Sequence, residues 1–140
     1  MEKEKAQETW EKYYEQKNNQ RIEQANKLWQ LIEESGASNE TTYAMDFSHF
    51  CTNKDGIEKL AEQLSENYEI KTFKDEGSDY WFANGTTRPY GNELTKQQHL
   101  EWVQFMFDVA KSYGCVFSTW QLEAPALQKT FKSEDIDSAS

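Results

Sequence analysis

Residues 41–70 read TTYAMDFSHFCTNKDGIEKLAEQLSENYEI, and this stretch decides the fold. From residue 41 to residue 52, large apolar side chains alternate with smaller or polar ones, beginning at Tyr43, Met45 and Phe47. A period of two is typical of a strand that buries one face. We therefore expect residues 41–52 to form the first strand of a sheet.

A helix is expected to follow this strand directly, over residues 54–67. Its apolar side chains recur every three or four positions, at Ile57, Leu60, Ala61, Leu64 and Tyr68. That spacing places them on one face of a helix, and either Asn53 or Thr52 can serve as the N-cap. Residues 69–73 predict a second, shorter strand.

The second half of the chain repeats this order. Residues 80–84 predict a third strand and residues 115–123 a fourth. Between them, Thr95 and Gln98 form the capping-box pattern at the start of a helix predicted over residues 96–114. The order strand–helix–strand–strand–helix–strand is the split βαβ plan. The sequence therefore predicts an α+β, ferredoxin-like sandwich, in which two helices cover one face of a four-stranded antiparallel sheet.

Further segments flank this unit on both sides. An apolar stripe predicts one long helix over residues 4–35, and Gly36 suits the left-handed position that ends it. We therefore divide the chain into three parts. These are an N-terminal helical extension (residues 1–36), the ferredoxin-like domain (residues 37–125) and a polar tail (residues 126–140) that we expect to be disordered.

The helix predicted over residues 96–114 has more apolar surface than one sheet can bury. Its first stripe contains Leu100, Val103, Phe107 and Ala110, and its second contains Trp102, Phe105, Met106, Val109 and Tyr113. Together they span roughly 220° at 100° per residue, whereas a helix on a sheet needs only about 100°. Three alternatives remain for what covers the excess apolar surface: the N-terminal helix, a second copy of the chain in a homodimer, or another protein.

Charge restricts the classes of partner. The chain carries 25 acidic and 15 basic residues, a formal net charge of −10. No three basic residues are adjacent, and nucleic acids and anionic membranes both require a basic patch. We therefore expect a protein partner with a basic surface, with no direct nucleic acid and no membrane as partner. The sequence has no signal-peptide pattern and no run of about 20 apolar residues, so we expect a cytoplasmic location.

Reactive side chains are few and isolated. The two histidines and two cysteines are His49, His99, Cys51 and Cys115. None has the neighbours that a metal site or an activated nucleophile needs, and no glycine-rich phosphate loop occurs. The sequence therefore predicts no catalytic residue, no cofactor and no metal. The aromatic residues within 80–82 and 117–120 are expected in the core rather than in a base-stacking platform, because no basic residues lie between them.

Several short motifs resemble those of a known family. They lie in residues 31–37, 43–50, 55–70, 110–113 and 117–120. Through the order and spacing of these motifs, residues 27–125 resemble the regulator of ribonuclease E activity B family. The resemblance implies a ferredoxin-like domain that binds protein and catalyses nothing. The founding members are acidic inhibitors of ribonuclease E, and similar domains resemble toxin-neutralising immunity proteins. This chain differs from the family in its additional residues 1–26 and in Lys129 and Lys132, which replace a dense acidic run.

The expected binding surface is acidic. It consists of seven carboxylates on the helix after the first strand and in the turn between the second and third strands: Asp55, Glu58, Glu62, Glu66, Asp75, Glu76 and Asp79. We expect the protein to be a non-catalytic regulator that uses them to bind a basic protein, such as a ribonuclease. The alternative is an immunity-type protein that neutralises a toxin by direct binding.

Overall fold

The described residues fold into three helices and six strands. The computed structural model describes residues 2–38, 40–88 and 91–136, with side chains from residue 8 onward. The helices are α1 (Glu2–Glu34), α2 (Lys54–Leu64) and α3 (Lys96–Ser112). The strands are β1 (Thr42–Cys51), β2 (Glu69–Lys74), β3 (Trp81–Thr86), β4 (Asn92–Glu93), β5 (Val116–Ala124) and β6 (Lys129–Lys132). Single 3₁₀ turns follow β5 and β6, at Pro125–Leu127 and Ser133–Asp135.

The strands form an antiparallel sheet in the order β2-β3-β1-β5-β6, and the two-residue β4 pairs with the start of β1. β1 is central because it pairs with β3 on one side and with β5 on the other. The predicted mixed α+β class is confirmed. The prediction of four strands is wrong, since β4 and β6 also join the sheet. β4 is too short to show an alternating pattern in the sequence.

The tail extends the sheet, so the prediction of a disordered tail is wrong for residues 126–136. β6 pairs with β5, and Phe131 lies opposite Leu122. Phe131 is only 9% exposed, and the Ser133 hydroxyl accepts a hydrogen bond of 2.9 Å from a backbone N–H of β5. Phe131 gives this otherwise polar segment one large apolar side chain to bury. The remaining tail residues, 137–140, lie outside the described residues.

All three helices lie on one face of the sheet. The side chains of β1 that point towards them are all buried: Tyr43, Met45, Phe47, His49 and Cys51. Of the residues between them, Asp46, Ser48 and Phe50 point to the opposite face and are partly exposed. No helix of the described ranges packs on that face. We call it the uncovered face.

α1 covers α3, so the first of the three alternative covers is confirmed. The buried Tyr14 packs edge-on against Phe107 of α3, with 5.8 Å between ring centroids. Its hydroxyl donates a hydrogen bond of 2.9 Å to the carbonyl of Cys115. Farther along α1, Trp29 packs against the ring of His99 at 5.4 Å. The long N-terminal helix therefore belongs to the same core as the sheet.

The helix ends follow local sequence signals. The side chain of Asn53 accepts a hydrogen bond of 2.9 Å from the backbone N–H of Asp55, which makes Asn53 the N-cap of α2. Thr95 and Gln98 form the predicted capping box of α3. Gly36 takes a positive φ of 92° after α1, as predicted for a residue that ends a helix.

Candidate functional site

The predicted acidic residues of α2 are exposed on its outer side. Asp55, Glu58 and Glu62 point away from the buried stripe of this helix. Two of them already have basic partners one turn away. Lys59 Nζ lies 3.1 Å from Asp55, and Lys54 Nζ lies 3.6 Å from Glu58. Exposed pairs of this kind contribute little stability, but they reduce the negative field that α2 presents to a partner.

The acidic turn between β2 and β3 is also exposed. Its carboxylates are Asp75, Glu76 and Asp79. Asp75 accepts a hydrogen bond of 2.7 Å from the Ser78 hydroxyl, and the backbone N–H of Asp75 donates to the carbonyl of Tyr80 at 3.0 Å. These bonds fix the shape of the turn. Three carboxylates are therefore held at one end of the β2–β3 hairpin.

The seven predicted residues do not form one patch. The turn lies near the start of α2, because Trp81 at the start of β3 lies under Lys54 Nζ, 5.4 Å from the ring centroid. Glu66 instead follows the end of α2 and precedes β2. The six residues of β2 separate it from the turn by roughly 17–20 Å. The structure therefore groups the turn with Asp55 and Glu58 and places Glu66 elsewhere.

Four aromatic rings on the uncovered face were not predicted as part of a surface. This aromatic row consists of Phe50, Phe73, Tyr80 and Phe82. The Phe73 and Phe82 rings stack at 5.5 Å, and Tyr80 packs edge-on against Phe50 at 5.4 Å. Phe73 is 45% exposed and Tyr80 is 42% exposed.

The prediction that residues 80–82 lie in the core is therefore wrong for Tyr80 and Phe82. It is confirmed for Phe117 and Trp120, which are buried under the helices. The strand register explains the difference. Phe50 lies opposite Phe82 on β3, and Phe82 lies opposite a residue of β2, so the rings share the face that points away from the helices.

A trough beside the aromatic row crosses the uncovered face. It has a volume of about 600 Å³. Its floor is formed by the short polar side chains of Ser48, Asn84 and Thr119, and Glu69 of β2 and Glu134 after β6 also line it. We call this concavity the sheet trough. It lies next to the aromatic row because Ser48 and Asn84 are two residues away from Phe50 and Phe82 along their strands.

Asp46 anchors a hydrogen-bond network at the far side of the sheet trough. It accepts hydrogen bonds from the Arg88 guanidinium at 3.1 and 3.3 Å, from the Gln121 amide at 2.9 Å and from the Thr86 hydroxyl. Arg88 also donates to Glu123 at 3.0 Å. Partial burial raises the pKa of Asp46, but these hydrogen bonds outweigh it, and the pKa lies below its usual value. This carboxylate is ionised and already satisfied.

The two histidines are buried and take part in packing. Trp120 Nε1–H donates to His99 Nε2 at 3.1 Å, and His49 Nε2 lies 3.4 Å from the carbonyl of Met106. Burial lowers the pKa of each histidine to about 4. Both imidazoles are therefore neutral at pH 7.

The two cysteines are buried as well. The Cys51 thiol donates to the carbonyl of Gly114 at 3.3 Å. Burial, with the neighbouring Cys51 as a further cause, raises the pKa of the Cys115 thiol. This thiol is therefore protonated near neutral pH. Within residues 2–38, 40–88 and 91–136, no group of three or more His, Cys, Asp or Glu side chains is placed to hold a metal ion.

No protein-family model matches the chain, and no curated protein matches it either. Among the helices that the structure describes, none is long and apolar enough to cross a membrane. The geometry of the uncovered face and of the acidic turn therefore carries the functional argument.

Proposed function

We propose that this chain is a non-catalytic, acidic protein-binding regulator of the cytoplasm. The observation that carries the proposal is the β2–β3 hairpin. It presents three exposed carboxylates, Asp75, Glu76 and Asp79, next to the exposed rings of Phe73 and Tyr80. Carboxylates and aromatic faces are the two groups that attract lysine and arginine side chains. A basic protein segment is therefore the partner that this hairpin fits.

Overall charge supports the same partner. A net charge of −10 repels phosphate groups and attracts basic surfaces, which speeds their association at low ionic strength. The burial of both histidines and both cysteines favours binding over catalysis, since these side chains are enclosed in the core. The proposed regulator would thus act by occupying a surface of its partner.

The resemblance to the regulator of ribonuclease E activity B family is part of this proposal. The order β2-β3-β1-β5 for the four predicted strands is compatible with a ferredoxin-like sandwich, which we propose as the core of the fold. By that resemblance, the proposed partner is a ribonuclease whose activity the protein lowers. The part of α1 before residue 27, and β6, would then be additions to the family domain.

Two charge-reversal variants test the function and the predicted surface together. One carries D75K, E76K and D79K in the turn, and the other carries E58K, E62K and E66K along α2. Each is used as bait in an extract of the native host at low and at raised salt. We expect the parent protein to retain a basic partner that raised salt releases, because screening weakens charge attraction.

The turn variant should lose this partner, and the α2 variant should lose less of it, because Asp55 and Glu58 already have lysine partners. Retention of the same partner by both variants would contradict an acidic binding surface. A parent protein that retains no partner would contradict the proposed function itself.

A second candidate function uses the same hairpin. The cleft of a nuclease toxin is basic because it binds phosphates, so carboxylates next to exposed rings also suit an immunity-type protein. Co-expression with a toxin encoded beside the gene distinguishes the two. Rescue of growth by the parent protein, and not by the turn variant, would favour immunity over regulation of a host ribonuclease.

A further inference from the structure

We propose that the basic segment of the partner binds as an extended, arginine-containing chain across the uncovered face of the sheet. The chain would lie in the sheet trough, with guanidinium groups on the aromatic row. This inference rests on the proposed function and names the surface and the chemistry of the segment. It places the main contact on the sheet instead of on α2.

The aromatic row is an exposed apolar surface that the fold itself leaves uncovered. All three described helices pack on the opposite face, where the core lies. Phe73 and Tyr80 remain nearly half exposed although both pack against other rings. A contiguous group of exposed rings on a small protein marks a binding surface more often than single exposed residues do.

The sheet trough has the dimensions of an extended chain. It reaches from Glu69 on β2 to Glu134 after β6, at opposite edges of the sheet. Five strands spaced at about 4.8 Å give a width of roughly 19 Å, the length of about six extended residues. The short side chains of Ser48, Asn84 and Thr119 form its floor. The backbone of a bound peptide can therefore lie close to the sheet while its side chains reach the aromatic row.

Charge selects a cationic occupant for the sheet trough. The sheet trough is lined by three carboxylates, those of Asp46, Glu69 and Glu134. The ammonium group of Lys71 also lines it, so acidic groups outnumber basic ones. Asp46 is satisfied by Arg88 and its neighbours, so Glu69 and Glu134 are the carboxylates left for a ligand. The acidic turn adds three more charges at the end of the hairpin that carries Phe73 and Tyr80.

Arginine fits this surface better than the alternatives. Its planar guanidinium stacks on aromatic rings and also binds carboxylates with two parallel hydrogen bonds, whereas lysine presents a compact point charge. Single-stranded nucleic acid also stacks on exposed rings, but its phosphates would meet the carboxylates of the sheet trough and of the turn. A second copy of the chain would bring another net charge of −10 to the same face.

The test uses the full-length protein and a short fluorescent peptide of alternating arginine and serine. Binding is measured by fluorescence anisotropy, and the site is mapped from amide shifts of the ¹⁵N-labelled protein. We expect shifts at Ser48, Lys71 and Asn84. Phe73→Ser should weaken binding roughly fivefold, because one cation–π contact is lost. Phe105→Ser is the matched control, since Phe105 is also 45% exposed but lies on α3, in the helical layer. It should leave binding unchanged.

A second variant, which changes charge, tests the same surface in case Phe73→Ser disturbs folding. Glu69→Lys with Glu134→Lys should weaken peptide binding at low salt. Glu101→Lys with Asp108→Lys is the control, since both residues are exposed on α3 and the change in net charge is the same, and it should leave binding unchanged. A peptide in which lysine replaces arginine should bind several-fold more weakly than the arginine peptide. Circular dichroism spectra that match the parent protein establish that each variant is folded.

Several results would overturn the inference while leaving the proposed function standing. These are amide shifts confined to α2, equal weakening by Phe73→Ser and Phe105→Ser, or no binding of the peptide by a protein that still retains a salt-sensitive partner from the host extract. Tighter binding of a single-stranded RNA at Ser48 and Asn84 would assign the face to nucleic acid. A dimer in sedimentation that Phe73→Ser dissociates would assign it to a second copy.

Discussion

Acidification is expected to destabilise this protein through His49 and His99. Both rings are buried and neutral, and the Nδ1 atom of each has no hydrogen-bond partner among the described residues. Protonation would therefore place an unpaired charge and an unsatisfied N–H in the core. In the unfolded chain both rings are exposed to water and bind protons freely. Stability should therefore fall as the pH drops from about 6.5 towards about 4.

The size of this effect follows from the two pKa values of each histidine. The pKa is about 4 in the folded protein, against the usual value of 6.5 in the unfolded chain. Between about pH 7.5 and about pH 5, a difference of this size removes about 2 kcal/mol of unfolding free energy per histidine, and about 4 kcal/mol for the pair. The Asp46 carboxyl, whose pKa is lowered, titrates below this window. A loss of about 4 kcal/mol is a large part of the stability of a typical domain.

Urea unfolding at the two pH values, followed by tryptophan fluorescence, measures this loss. The variants are His49→Leu, and His99→Gln, which keeps an acceptor for the Trp120 indole N–H. Each variant should lose about 2 kcal/mol less than the parent between the two pH values, whatever its stability at neutral pH. Variants that lose as much as the parent would refute the reasoning that both rings are neutral because they are buried.

Three further predictions concern the sheet. Gly85→Ala should destabilise by about 1–3 kcal/mol in urea unfolding, because the added Cβ would overlap the ring of Phe47. Gly77→Ala should be close to neutral, because no atom lies within 4 Å of the added Cβ. Phe131→Ala should cost about 3 kcal/mol in the same assay because β6 buries this ring, and a neutral result would contradict the pairing of β6 with β5. Arg88→Gln should raise the pKa of Asp46, measured by NMR titration of its carboxyl. An unchanged titration would show that the guanidinium does not lower that pKa.

The elements with strong periodic patterns could be predicted from the sequence. β1 alternates over its whole length, and α2 and α3 carry an apolar stripe together with a recognisable N-cap. The excess apolar surface of α3 also predicted a cover, and α1 was the first of the three alternatives. β6 could not be predicted because one buried ring, that of Phe131, stands among lysines and a threonine.

The candidate site was harder to predict than the fold. The seven acidic residues were expected at the surface, and the structure places them there, but their grouping depends on how β2 lies relative to α2. The aromatic row was missed because phenylalanines in strands usually lie in the core. Phe50 and Phe82 stay partly exposed because every described helix packs on the other face. The face of the sheet on which the helices pack is set by the tertiary arrangement, and it cannot be predicted from the order of helices and strands alone.

The hydrogen bond between Tyr14 and Cys115 joins two positions that are 101 residues apart in the chain. During synthesis, α1 is made before α3 and β5, the helix and strand that it packs against. Contacts at such long sequence separation close slowly, and until then the apolar stripe of α1 has nothing to bury against. We therefore expect α1 to dock late in folding, and we expect the nascent chain to expose the apolar stripe of α1 until α3 and β5 have been made.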